Sequence, residues 1–90
     1  MEAIQIIVQG NVQGVFFRAS AKKKAALIGI TGWVKNTKEG HVEMKAQGDP
    51  QQIQEFLVWC KQGPPSAKVE SVTTTKAEED FTGEFKILHQ

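Results

Sequence analysis

The spacing of apolar residues changes period across one glycine-bracketed segment, and that change restricts the fold more than any other feature of the chain. Ile4, Ile6 and Val8 alternate with Gln5 and Gln9, the pattern of a strand with one face on a core. Ile7 implies partial cover of the other face. Phe17, Ala21, Ala25 and Ile28 recur at helical spacing instead, so a strand has to pass into a helix through the segment Gly10-Asn11-Val12-Gln13-Gly14-Val15-Phe16. Gly29 suits the left-handed position that ends a helix. Lys22, Lys23 and Lys24 fall where water or the helix C-terminus favours a positive charge.

The remaining pattern completes a βαββαβ order with a short final strand. Ile30 to Asn36 is rich in strand formers, and Val42, Met44 and Ala46 alternate with His41, Glu43, Lys45 and Gln47. Thr37-Lys38-Glu39-Gly40 lies between them as a turn, which predicts a β-hairpin. Asp49 is placed to cap a second helix, Pro50 suits its first position and Gln52 completes a capping box. Ile53, Phe56, Leu57 and Cys60 make its buried stripe, and Gly63-Pro64-Pro65 stops it. Val69 to Thr75 and Phe85-Lys86-Ile87 then read as strands. The expectation is an α+β fold of the ferredoxin-like type, a sandwich of two helices on one face of a mainly antiparallel sheet.

A length of 90 residues suits one domain, residues 1–90, with one core. A net charge of +1 offers no long-range field for a polyanion, so nucleic acid is not an expected partner, and a small anion is the better match. No apolar run reaches the ~20 residues of a membrane span, and the Met1-Glu2 start lacks the regions of a signal peptide. A cytoplasmic monomer is expected. Cys60 is the only cysteine, which rules out an internal disulfide and an iron–sulfur cluster. On its apolar stripe it reads as an inert buried thiol. His41 beside a turn and His89 near the end read as surface residues, and Glu78-Glu79-Asp80 as a solvated loop; no metal and no cofactor are expected.

Arg18 is the only arginine, every other basic residue but the two histidines being lysine. Its planar fork of donors matches carboxylate or phosphate oxygens in pairs, which an ammonium cannot do. It stands in the first helical turn, where a cation opposes the helix dipole. The glycines before it allow backbone amides to turn towards one point, and amides followed by a helix N-terminus form a concave anion site. The segment carries neither a Gly-Lys-Ser/Thr phosphate loop nor the three-glycine dinucleotide fingerprint, so ATP and NAD have no support. A neutral polar group for such a site is at hand in Asn36, which ends Gly32-Trp33-Val34-Lys35-Asn36. Trp33 and Trp59 read as core or half-buried aromatics.

These segments resemble two signatures of the acylphosphatase family. Val8 to Arg18 is similar to the first, in which Val-Gln-Gly-Val precedes Phe-Arg. Gly32 to Gly48 is similar to the second, with Gly-Trp-Val-Lys-Asn, three residues, Gly40-His41-Val42 and, after a strand, Gly48. The resemblance covers the whole chain, including Leu27-Ile28-Gly29-Ile30 and the second helix. It implies metal-independent hydrolysis of the carboxyl–phosphate anhydride of an acyl phosphate to a carboxylate and inorganic phosphate. By the family pattern Arg18 holds the phosphoryl oxygens, amides of Gln13, Gly14, Val15, Phe16, Phe17 and Arg18 complete the cradle, and Asn36 orients the attacking water. Two departures stand out. Ala21 replaces the threonine or serine frequent in the family, and Leu88-His89-Gln90 replaces an arginine or aromatic.

Two other classes of function fit parts of the pattern. A non-catalytic phosphate-binding regulatory module would use the same cradle, although the Arg18 and Asn36 pair argues for an enzyme. An RNA-binding sheet would need stacking aromatics, which neither Ile4–Val8 nor His41–Gln47 presents.

Overall fold

Two helices cover one face of a five-stranded sheet in a computed structural model that describes residues 2–14, 16–78 and 83–88. The elements run β1 (Glu2–Asn11), α1 (Phe17–Ile28), β2 (Thr31–Asn36), β3 (Val42–Gly48), α2 (Pro50–Gln62), β4 (Lys68–Lys76) and β5 (Phe85–Ile87). Strands lie in the order β4-β1-β3-β2-β5. Every neighbouring pair is antiparallel except β2 and β5, which are parallel. The ferredoxin-like expectation holds, with β1 and β4 somewhat longer than hydrophobic alternation alone outlines.

Side-chain alternation sorts the sheet's two faces. Ile6, Val8, Val34, Val42, Met44 and Ala46 are buried against Phe17, Ala21, Ala25, Ile53, Phe56 and Cys60 of the helices. Phe56 links the layers, its ring centroid 5.7 Å from that of Phe85 and 6.0 Å from that of Trp59. On the other face Trp33 is half-buried, with the ammonium groups of Lys35 and Lys45 at 5.3 Å and 6.0 Å from its ring, close enough for cation–π attraction. Gln5 donates there from Nε2 to the Glu43 carboxylate at 2.7 Å.

Local chemistry sets the helix boundaries. Gly29 ends α1 at φ 100°, its N–H donating to the Ala25 carbonyl at 2.8 Å. The capping box of α2 forms, with the Asp49 N–H donating to Gln52 Oε1 at 2.8 Å. Gln52 also donates from Nε2 to the Ile28 carbonyl at 3.0 Å, tying the start of α2 to the end of α1. No described helix is long and apolar enough to cross a membrane.

Cys60 is fully buried in α2, and burial pushes its thiol well above the ordinary thiol range. The folded chain keeps this thiol neutral, whereas the unfolded chain releases its proton above about pH 8.5. Its contribution to stability is therefore complete below that pH and declines as pH rises beyond it. Urea unfolding of the wild type between pH 7 and 10 should show this decline, and Cys60→Ala should flatten it. Parallel slopes for the two proteins would contradict the assignment.

Candidate active site

The sheet's connectivity brings distant segments together at one edge. β1 and β2 each pair antiparallel with β3, so they share a direction and end at the same side of the sheet. Val8, Val42 and Asn36 occupy one row across β1, β3 and β2, and directly opposed residues share a face. Asn36 therefore ends β2 on the helix-covered face, beside the segment that carries the chain from β1 into α1. Arg18 and Asn36 line one pocket of about 290 Å³, together with Val12, Gly14, Phe16 and Ile87.

Backbone geometry makes the pocket receptive to an anion. Gly14 has φ 73° and Phe16 has φ 63°, both left-handed, and Phe16 runs directly into the right-handed backbone of α1, a change of hand that turns successive amides towards one side. No side chain caps α1 and no acidic residue occupies its first turn. Ser20 N–H makes an early helical bond to the Phe16 carbonyl at 3.0 Å, while the amides of Phe17, Arg18 and Ala19 stand where a helix provides no acceptor of its own. Positive dipole and amide donors together suit a phosphate. Phe17 anchors the turn, being 1% exposed with its ring 5.3 Å from Trp59.

Gln13 holds the loop in position. Its Nε2 donates to the carbonyls of Thr37 at 2.9 Å and His41 at 2.7 Å, the two residues that close the β2–β3 turn through Thr37 N–H on the His41 carbonyl. The side chain thus ties the loop to the turn that follows Asn36. Asn36 is half-buried and engaged in other contacts; its Oδ1 is buried and accepts no hydrogen bond among the described residues.

Some expected residues occupy different places. Gly10 does not turn the anion loop; it lies in β1 beside a register shift against β4, where a Cβ would run into the backbone of Lys68 and Glu70. Val15 lies outside the described residues, as do Glu79, Asp80, His89 and Gln90. His41 takes part through its carbonyl. Ala21 is fully buried, leaving its missing hydroxyl in the core. Sequence reading missed Val12, Ala19 and Ile87 as pocket residues, and it gave Phe16 a backbone amide but no side-chain role. Ile87 enters through its parallel register with Val34, for which the sequence carries no local signal. Phe16 enters through a left-handed backbone that phenylalanine ordinarily avoids.

Known proteins resemble this chain in sequence and in fold. The family model described as Acylphosphatase matches residues 4–87. A curated acylphosphatase of Methylococcus capsulatus is 45% identical over 85 residues, covering 94% of this chain and 90% of the relative. The solved acylphosphatase of Coxiella burnetii superposes with a TM-score of 0.92 at 39% identity, covering 97% of this chain and 92% of that one. For the acylphosphatase of Bacillus subtilis the TM-score is 0.93 at 36% identity, with 98% and 99% covered. With its pocket built from the segments that carry both signatures, the chain belongs to the acylphosphatase family.

Proposed function

We propose that the pocket between Arg18 and Asn36 transfers the phosphoryl group of a small acyl phosphate to water without a metal ion. Family membership makes the chain a hydrolase of acid anhydrides; the assignment of steps to residues is our reading. One observation carries it: an arginine, an uncapped helix N-terminus and an asparagine meet in a single pocket. The described side chains lining it include no carboxylate, thiol or imidazole.

In the reaction the water oxygen forms a new P–O bond while the bond from phosphorus to the acyl oxygen breaks, and its electron pair leaves on the carboxylate. The water proton passes to a phosphate oxygen. Charge spreads over the equatorial phosphoryl oxygens while nucleophile and leaving group stay in line, so position and electrostatics supply most of the acceleration. Arg18 takes two of the three oxygens in its fork, and amides of the Gln13–Arg18 segment take the third. Asn36 accepts from the water and aims it opposite the leaving group. A carboxylate departs easily, its conjugate acid having a pKa of about 4, so the reaction needs no strong general acid. Residues 1–90 act here as one domain, a cytoplasmic monomer that uses no cofactor, nucleic acid or membrane and releases inorganic phosphate.

Hydrolysis of benzoyl phosphate in excess chelator tests this reading. Turnover far above the spontaneous rate is the expected result. A spontaneous rate with phosphate still bound would make the site a binding module, and turnover lost to chelator would end the metal-free account.

The tie made by Gln13 gives a smaller effect. Gln13→Ala removes two hydrogen bonds and is expected to cost about 1–2 kcal/mol of stability. It should also lower kcat/KM about tenfold by loosening the loop against Asn36. Urea unfolding and steady-state kinetics check both, and unchanged kinetics would contradict the positioning role.

A further inference from the structure

The structure assigns to Phe16 a role in substrate choice: its ring is the platform for the acyl group, and the site favours acyl phosphates whose acyl part is aromatic or similarly apolar. The inference rests on the phosphoryl-transfer reading above and extends it to the other half of the substrate.

Phe16 is anomalous in two independent ways. It is the only non-glycine residue with positive φ among the described residues, at φ 63° and ψ 23°, a conformation costly for an L-residue with a Cβ. It is also 81% exposed, the highest value among the exposed large hydrophobic residues described. Core packing therefore offsets neither the backbone strain nor the contact of the ring with water. Glycine or asparagine would meet the turn's backbone requirement at lower cost. Backbone outliers of this kind, where no packing explains them, are characteristic of functional sites.

The pocket indicates what the ring would meet. Its volume of about 290 Å³ is roughly ten times the ~30 Å³ share of a liquid water molecule, more than the five heavy atoms of a phosphate fill. Arg18 and Asn36 supply its charged and amide groups, and Phe16, Val12, Ala19 and Ile87 supply apolar wall. Leu88, next to Ile87, is 39% exposed and is held to β2 by its N–H on the Val34 carbonyl at 2.8 Å. With the phosphoryl group on Arg18 and the loop amides, the acyl substituent has an aromatic face available at Phe16. Stacked or edge-on aromatic contact there adds to the gain from apolar burial.

The test compares benzoyl phosphate with acetyl phosphate for the wild type, Phe16→Asn, Phe16→Gly and Phe16→Tyr. Asn and Gly tolerate the left-handed backbone, which keeps the turn, and Tyr keeps the ring. The readout is the ratio of kcat/KM for the two substrates, which cancels any change in the shared phosphoryl step; the inhibition constant of inorganic phosphate reports on the amides separately. The ratio should fall about tenfold in Phe16→Asn and Phe16→Gly, mainly through KM for benzoyl phosphate, and survive in Phe16→Tyr. An equal ratio in all four proteins, with both substrates turned over, would overturn the role of Phe16 and leave the phosphoryl reading intact. Wild-type protein that hydrolysed neither anhydride would overturn that reading, and this inference with it.

Discussion

Arg18→Lys is expected to lower kcat/KM for acyl phosphates by roughly 10- to 150-fold, with inhibition by inorganic phosphate weakened alongside. The substitution keeps the positive charge and removes the fork, so its effect isolates geometry. Charge-assisted hydrogen bonds contribute about 1.5–3 kcal/mol each, and about 1.4 kcal/mol corresponds to a factor of ten in rate. Arg18 is half-buried at the start of α1 beside the loop amides, a position from which a lysine offers only a point charge. Steady-state hydrolysis and phosphate inhibition measure both quantities, and an unchanged urea midpoint would show that the fold is intact. Wild-type kinetics in the variant would remove Arg18 from the site.

Asn36→Ala is expected to act differently, lowering kcat about 10²-fold or more while phosphate still inhibits at nearly its wild-type concentration. The residue is assigned to the water, and a displacement of about 1 Å in a reacting group costs on the order of 10²-fold. Asn36 ends β2 in the row that also holds Val42 and Val8, so the strand backbone fixes where its carboxamide begins. A parallel loss of turnover and phosphate affinity would instead place Asn36 in the cradle. Together the two variants separate holding the phosphoryl group from aiming the nucleophile.

Those parts of the molecule that follow from short-range rules were legible in the sequence. Asp49, Pro50, Gln52 and Gly63 bound α2 because capping chemistry acts within a turn or two. Alternation at Ile4, Ile6 and Val8, and at Val42, Met44 and Ala46, identified the buried face because strand side chains alternate strictly. Arg18 stood out by residue type, and Asn36 through its place in a family signature. The rest depends on contacts between distant segments or on backbone that opposes local preference. The parallel pairing that brings Ile87 to the pocket is long-range. Gly10 looked like part of the turning loop, yet close approach of β4 is what its lack of a Cβ serves. Gln13 carries a side-chain tie to Thr37 and His41 that depends on the hairpin arriving beside the loop. Phe16 adopts a conformation its residue type disfavours.

Attack by water on phosphorus is the center of this account, and hydrolysis of benzoyl phosphate in water enriched with oxygen-18 tests it most directly. The label is expected in inorganic phosphate, with benzoate left unlabelled, since the bond from phosphorus to the acyl oxygen is the one that breaks. Label in benzoate would show attack at the carbonyl carbon and would contradict a pocket organised around the phosphoryl group.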